Sequence, residues 1–247
     1  MSAVFLACHS ILELDARHPF TARALLDAQA MHRLVMSGFH GWVEDGADDA
    51  RAQLQVLHTA NADLKQGTLT VVVQSRVQPD WTRIPSAALK GAPGVILVEE
   101  KIETGRRYRF RAVVNPARMS DRHLRPSEIP PEGRSHMKRL ADTTPDHARR
   151  WFAERLQPPG EPPVGDRGVR RIGAFGDPAT LVTRVLPKIA GASGKPKLRI
   201  GRAEIRGELT VTSPDVFADV LTTGLGHARA YGCGLILIKP VPIRPNG

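Results

Sequence analysis

A short segment early in the chain carries a histidine beside a glutamine and an arginine. The segment 27–39, DAQAMHRLVMSGF, contains Gln29, His32 and Arg33. Gln29 and His32 are three residues apart, so in a helix they share one face. Histidine transfers protons near neutral pH, whereas a glutamine amide can hydrogen-bond a phosphate or ribose but is neither an acid nor a base. Arg33 has two interpretations, a group that holds a phosphate or a solvated helix arginine.

A glycine-rich loop forms a second candidate site. The loop 224–234, GLGHARAYGCG, follows a predicted helix and precedes a predicted strand, so it is neither a dinucleotide-binding fingerprint nor a Walker loop. Glycine lets backbone N–H groups approach a phosphate closely. The loop residues that we assign to anion binding are Gly224, Gly226, His227 and Arg229. The alternative is an ordinary connection that needs positive φ angles, and we expect Tyr231 to pack rather than to stack on a base.

Positive charge is concentrated in two blocks of the sequence. The chain has 35 Lys and Arg against 25 Asp and Glu, a formal net charge of +10. Residues 101–139 carry 11 basic and 4 acidic side chains, and residues 164–207 carry 10 and 3, so each block contributes +7. Because arginine and lysine neutralise phosphates, this distribution predicts a nucleic acid partner rather than two solvated loops.

Composition argues against several other classes of protein. The two cysteines, Cys8 and Cys233, are too few for a disulfide scaffold, and neither cysteine nor histidine spacing indicates a metal site, so we expect no metal and no cofactor. No segment approaches the roughly 18 apolar residues of a membrane span, and the first residues do not resemble a signal peptide. We therefore expect a cytoplasmic protein that does not bind a membrane.

Strands and helices alternate through both halves of the chain. The predicted strands are 4–14, 68–77, 94–99, 108–114, 180–190, 198–211 and 235–238, and the predicted helices are 20–38, 85–90, 144–156 and 213–224. This pattern indicates an α+β fold with two ferredoxin-like (RRM-like) domains in tandem. We expect an N-terminal domain at 1–120, a basic connector at 121–143 and a C-terminal domain at 144–247.

Several segments, in this order, resemble the CasE family of CRISPR repeat endoribonucleases from type I-E systems. DAQAMHRLVMSGF (27–39) is similar to the family's first-helix motif, and YRFRAVVNPAR (108–118) is similar to one of its strands. EIRGELTVTSPDVFADVLTTGLG (204–226) and the following GLGHARAYGCGLILI resemble its last strand, helix and glycine-rich loop. The resemblance extends over residues 4–240 and again implies tandem ferredoxin-like domains.

The resemblance also implies a function. Members of the family cut repeat RNA at the 3′ base of its hairpin without a metal ion and then keep the hairpin as a subunit of the type I-E surveillance complex. The resemblance assigns catalysis to His32, which either takes the proton of the ribose 2′-OH or protonates the departing 5′ oxygen. At Gln29 this sequence departs from the family, which commonly has a tyrosine near this point, before the histidine. Either His32 works with a basic residue, or catalysis is slow, or another group substitutes.

The resemblance places a basic β-hairpin at 184–202, where the family contacts the base of the RNA stem. The side chains that we expect to bind RNA there are Lys195, Lys197 and Arg199, with Arg170 and Arg171 nearby. Two other functions remain open. One is a catalytically weak or inactive hairpin-binding subunit of the same complex, which Gln29 favours. The other is an unrelated RRM-like RNA adaptor, which predicts aromatic residues on its central strands, as Tyr108 and Phe110 are here.

Overall fold

The computed structural model describes residues 1–43, 49–120, 138–140, 143–165, 168–190 and 199–242. Within these ranges the strands are β1 Ser2–Asp15, β2 Leu57–Asp63, β3 Thr68–Ser75, β4 Gly94–Glu103, β5 Arg107–Val114, β6 Arg118–Ser120, β7 Lys138–Leu140, β8 Ala174–Phe175, β9 Val182–Ala190, β10 Arg199–Val211 and β11 Ile236–Pro240. The helices are α1 Pro19–Leu26, α2 Ala28–Met36, α3 Ala50–Gln53, α4 Pro145–Ala153 and α5 Pro214–Thr223.

The first sheet has the strand order β2-β3-β1-β4, and all its neighbouring strands are antiparallel. Alternate residues of the C-terminal half of β1, such as Leu12 and Leu14, point to the same face. They are fully buried in a core that also contains Leu34 and Val35 of α2. The sheet therefore fixes the position of the helix that carries the candidate histidine.

The second sheet has β10 at its centre. Strands β5, β8 and β9 pair with β10, and β11 pairs with the other edge of β5, all antiparallel. Strand β5 lies within the predicted N-terminal domain 1–120, but it pairs only with strands of this second sheet among the described residues. The sequence predicts β4 and β5 as two strands but places both in the N-terminal domain, because the turn between them is short, with Gly105 at a φ of +82°.

The predicted continuous helix over 20–38 is broken at Asp27, which corrects that prediction. Asp27 has extended backbone angles, with φ −130° and ψ 118°, and its carboxylate accepts a hydrogen bond from the Gln29 backbone N–H at 3.0 Å. This is an N-cap, which satisfies a backbone donor that a new helix would otherwise leave unpaired. A fresh helix start at Ala28 therefore places Gln29 in the first turn of α2.

The two sheets are joined by helix α5. It packs on the face of the first sheet that α1 and α2 leave open, in a core that includes Phe5 of β1 and Phe217 of α5. The buried Gln74 amide of β3 donates a hydrogen bond to the Leu221 carbonyl of α5 at 2.8 Å. The glycine-rich loop leaves the C-terminal end of this helix, so the same packing positions the loop. None of the helices in the described ranges is long and apolar enough to cross a membrane.

Candidate active site

Helix α2 and the glycine-rich loop meet at Tyr231. The Gln29 side-chain amide donates a hydrogen bond to the Tyr231 hydroxyl oxygen at 2.7 Å. The His32 ring contacts the edge of the Tyr231 ring, with 6.4 Å between ring centroids and an interplanar angle of 60°. The expectation that Gln29 and His32 share a helix face therefore agrees with the structure, and both side chains reach the loop.

The loop needs its glycines to approach the first domain so closely. Gly232 has a φ of +79°, and a Cβ atom there would lie 3.3 Å from His58 Nε2 of β2. Gly234 has a φ of +93°, and a Cβ atom there would lie 2.8 Å from the Leu225 carbonyl oxygen. L-amino acids with a side chain are strained at such angles. The positive φ angles predicted for this loop are present, and they bring the turn Arg229–Tyr231 against α2 and β2.

The environment of His32 favours the neutral imidazole. The ring is partly buried. This burial and the nearby Arg51 guanidinium lower the pKa of His32 from its ordinary value, although a hydrogen bond to the Ala230 backbone opposes the shift. A neutral imidazole can accept a proton at neutral pH.

Arg51 holds positive charge beside this imidazole, and Arg229 lies close to Arg51. Arg51 of α3 donates from Nη1 to the Val56 carbonyl at 3.0 Å, and Arg229 of the loop donates from Nη1 to the Thr223 carbonyl at 2.8 Å. Burial is the main cause that lowers the pKa of Arg51, and the charge of Arg229 is the next, so the two guanidinium groups are close. Two clustered cations repel one another unless an anion lies between them, and a phosphate would relieve that repulsion.

A second histidine lies beneath the loop. His58 is only 2% exposed, and its Nε2 atom has no hydrogen-bond partner among the described residues. Burial, followed by the charges of His32, Arg51 and Arg202, lowers the pKa of His58 to about 3. His58, Arg202 and Tyr231 line a cavity of about 130 Å³ between the two domains. Arg51, His58 and Arg202 were not predicted from the sequence, because each is isolated in sequence and only the fold brings them together.

The open face of the second sheet carries a ladder of cross-strand ion pairs. Glu204 of β10, whose side chain is 4% exposed, accepts from Arg111 Nε at 2.6 Å and from Arg206 Nη2 at 2.9 Å. Farther along β10, Glu208 pairs with Arg107 and Arg109 of β5. We call these residues the arginine ladder: Arg107, Arg109, Arg111, Arg184, Arg206, Glu204 and Glu208.

The arginine ladder is electropositive and continues into the site. It contains five arginines and two glutamates, so its formal charge is +3. Arg202 lies two residues before Glu204 on the same strand, and alternate residues of a strand face the same side. The ladder thus extends away from the pocket that Arg202 lines. A surface of this kind attracts a polyanion.

Other predicted RNA-binding residues lie outside this group of contacts. Arg33 points to Asp27 on its own helix, with 3.7 Å between Nη2 and Oδ2. Arg170 forms an ion pair with Asp219 of α5, and Arg171 pairs with Glu161 at 2.8 Å. The structure therefore gives these three arginines intramolecular partners, and of the three only Arg33 contributes to lowering the pKa of His32.

The remaining predicted residues divide between the loop and the basic hairpin. Arg199 is exposed at the start of β10, and His227 is exposed in the loop. Gly224 and Gly226 have φ angles of +79° and +77°, and both pack closely, against Leu57 and Trp151 respectively. Lys195 and Lys197 lie outside the described residues. In the described ranges, no group of three or more His, Cys, Asp or Glu side chains is arranged to hold a metal ion.

Comparison with known proteins shows the class to which the chain belongs. A family model described as "CRISPR associated protein" matches residues 9–240, nearly the whole chain. The chain belongs to this family of CRISPR-associated proteins. Within that class, its similarity is to the CasE proteins of type I-E systems, and the resemblance inferred from the sequence motifs is confirmed.

One relative in sequence and two solved structures show how far this similarity extends. The CRISPR-associated endoribonuclease Cse3 of Thermus thermophilus is 25% identical over 219 residues, which cover 88% of this chain and 92% of that protein. A structure of Thermus thermophilus Cse3 bound to an RNA that represents a pre-cleavage complex has a TM-score of 0.64 at 21% identity, covering 96% and 100% of the two chains. Cas6e from Escherichia coli K-12 has a TM-score of 0.63 at 16% identity, covering 95% and 100%. The predicted α+β fold with tandem ferredoxin-like domains is confirmed.

Proposed function

We propose that this protein is a metal-independent endoribonuclease that cuts CRISPR repeat RNA at the 3′ base of its hairpin. After cleavage it retains the hairpin as a subunit of the type I-E surveillance complex, in the cytoplasm. The observation that carries the proposal is the contact of His32 and Gln29 with Tyr231, with Arg51 and Arg229 beside it. The relatives named above, an endoribonuclease and its RNA-bound structures, support this substrate class.

The chemistry follows from what RNA supplies and what it lacks. The ribose 2′-OH next to the scissile phosphate is the nucleophile, so the protein must align it, move protons and stabilise the charge of the phosphorane. His32, held neutral by its surroundings, accepts the 2′-OH proton. Arg51 and Arg229 offset the negative charge that grows on the phosphorane. The products are a 2′,3′-cyclic phosphate and a 5′-hydroxyl.

RNA binding relies on positive surfaces that the described residues provide in part. The arginine ladder supplies a cationic track that extends away from the pocket beside His32, and phosphate contacts of this kind give affinity without sequence preference. We retain Lys195, Lys197 and Arg199 as contacts with the base of the stem, because A-form RNA is recognised largely through its backbone and shape. Gly224, Gly226, His227 and Arg229 remain our proposed phosphate contacts of the loop.

The second candidate function is a hairpin-binding subunit that cleaves slowly or not at all. The observation that favours it is Gln29, whose amide cannot transfer a proton. The adaptor alternative loses its support, because the rings of Tyr108 and Phe110 are buried in the core and cannot stack on bases.

The test is single-turnover cleavage of end-labelled repeat hairpin RNA in EDTA. We expect one cut at the 3′ base of the hairpin, a cyclic phosphate end, and a rate reduced at least about 100-fold by His32→Ala, the usual range for loss of a proton-transfer group. His40→Ala is the matched control, since His40 contacts Ser37 and Asp80 and not the loop. Partial recovery of His32→Ala by added imidazole would show that the variant is folded.

Two results would change the assignment. Tight hairpin binding without any cut by the wild-type protein would favour the non-cleaving subunit. Cleavage that EDTA abolishes and added divalent cation restores would contradict the metal-independent mechanism. Retention of the cleaved hairpin is tested separately, by a burst of one product per protein followed by slow turnover.

A further inference from the structure

Tyr231 brings a phenol group to the centre of the candidate site. The chain has only two tyrosines, and Tyr108 is buried in the core. Tyr231 is partly buried at the end of the turn Arg229–Tyr231, which is flanked by positive φ angles at Ala228 and Gly232. These angles hold the phenol against α2 although it is 202 residues away from Gln29 in sequence. The loop therefore has a constrained conformation that delivers one hydroxyl to this place.

The direction of the Gln29 hydrogen bond leaves the phenol able to donate. The amide N–H of Gln29 is the donor and the Tyr231 oxygen is the acceptor, at 2.7 Å. A hydroxyl accepts through a lone pair and keeps its own hydrogen for another acceptor. Among the described residues, the one hydrogen bond of the Tyr231 hydroxyl is the bond that it accepts from Gln29. Gln29 thus fixes the position of the phenol oxygen and leaves the phenol proton free to be donated. A carboxylate at position 29 would instead accept that proton in a hydrogen bond.

His32 and Tyr231 are neighbours but have different chemistry. The imidazole is kept neutral and accepts protons, whereas a phenol begins as a donor. Their rings touch edge to face at 6.4 Å between centroids, so one nucleotide junction can reach both. Ribonuclease chemistry needs a base at the attacking oxygen and an acid at the departing one. The site contains a base, His32, and an acid, Tyr231, in contact with each other.

We propose that Tyr231 is the general acid of the RNA cleavage reaction and that Gln29 is the residue that positions its hydroxyl. This inference rests on the proposed endoribonuclease function and names the group that acts at the leaving oxygen. It also accounts for the glutamine at position 29, which serves as an orienting donor for a phenol supplied by the loop.

The proposed step balances in protons and bonds. His32 takes the proton of the 2′-OH as the bond between the 2′ oxygen and phosphorus forms. The bond between phosphorus and the 5′ oxygen breaks, and that oxygen takes the hydroxyl proton of Tyr231. The imidazolium of His32 then returns a proton to the phenolate, directly or through one water, and both groups are restored. Arg51 and Arg229 stabilise the phosphorane and the transient phenolate.

A modified substrate separates an acid from a residue that only packs. We would measure single-turnover cleavage in EDTA of repeat hairpin RNA and of the same RNA with a 5′-thio leaving group at the scissile bond. A thiolate leaves without a proton, so the acid is dispensable on that substrate. We expect Tyr231→Phe to be slowed about 100-fold on ordinary RNA, a typical loss for a general acid, and to match the wild type within a few-fold on the thio substrate.

Three further variants complete the test. His32→Ala should be slow on both substrates, since its base is needed for either leaving group. Gln29→Met should show a smaller loss than Tyr231→Phe on ordinary RNA, and adding it to Tyr231→Phe should cost nothing more. Tyr108→Phe is the matched control, because it deletes the chain's other phenol, which donates to Glu100 at 2.8 Å, and it should cleave like the wild type.

The outcomes distinguish this inference from the function on which it rests. Equal slowing of Tyr231→Phe on both substrates would assign the phenol to packing and overturn the proposal. Wild-type rates for Tyr231→Phe on ordinary RNA would overturn it as well, while leaving the endoribonuclease function intact. If the wild-type protein cuts neither substrate in EDTA, the proposed function itself fails.

Discussion

Replacement of His58 by glutamine should flatten the dependence of stability on pH. The pKa of His58 in the folded protein is about 3, mainly because the ring is buried, whereas a histidine in an unfolded chain titrates near 6.5. Between these two values the unfolded chain binds a proton at His58 and the folded protein does not. Stability therefore falls as the pH falls from about 6.5 towards 3.

The size of the effect follows from the two pKa values. Each pH unit inside that window lowers the free energy of unfolding by about 1.4 kcal/mol. Protonation of His58 in the unfolded chain should therefore remove about 2 kcal/mol of stability between pH 7 and pH 5. That loss is a substantial part of the free energy of unfolding of a typical domain, which is roughly 5–15 kcal/mol. Glutamine at position 58 carries no charge at either pH, so His58→Gln lacks this contribution.

The assay is urea unfolding of both proteins at pH 7 and at pH 5. The wild type should lose about 2 kcal/mol more than His58→Gln between the two pH values. An NMR titration of the histidine rings is a second readout, and the chemical shifts of the His58 ring should not change between pH 8 and pH 5. Equal losses of stability in the two proteins, or a His58 signal that titrates in this range, would refute the buried neutral imidazole beneath the loop.

Three other predictions concern the loop, the charge beside His32 and the ladder. Gly234→Ala should reduce the free energy of unfolding by about 1–3 kcal/mol, because it combines a positive φ with a contact to the Leu225 carbonyl, whereas Gly91→Ala, with open space around it, should have little effect on urea unfolding. Arg51→Gln should raise the pKa of His32 and move the acid limb of the pH–rate profile to higher pH; an unmoved limb would contradict the charge effect. Arg109→Gln should weaken RNA binding in filter-binding titrations and reduce the slope of log affinity against log salt by about 0.7–0.9. The single-turnover cleavage rate should be preserved. An unchanged slope would show that Arg109 of the arginine ladder does not contact RNA phosphates.

Local patterns were enough to predict most of the elements around the site. Strand β1 and helix α4 overlap the predicted strand 4–14 and the predicted helix 144–156, and the Thr144 hydroxyl caps α4 by accepting from the His147 backbone N–H. The helix break at Asp27 was missed because the periodic apolar residues continue across it. The Asp27 side chain caps the start of a separate helix, α2, where the apolar period alone predicted one longer helix.

The pairing of strands that are distant in the chain could not be predicted from the sequence. Strand β5 follows β4 after a short turn, yet its partners are β10 and β11, far along the chain. The candidate site has the same character. His32 and the loop could be named from motifs and resemblance, but Arg51 and His58 have no local pattern and reach the site only through the packing of β2 against the loop. The role of Tyr231 also depends on a contact between distant segments.

The most direct test of this account is a structure of the wild-type protein with repeat RNA that carries a single 2′-fluoro substitution at the scissile nucleotide. The fluorine marks the place of the attacking oxygen and prevents cleavage. We expect a ring nitrogen of His32 within about 3 Å of the fluorine, or one water away, the reach that proton transfer requires. An imidazole separated from the scissile nucleotide by another part of the protein, with the RNA bound elsewhere, would contradict the central claim.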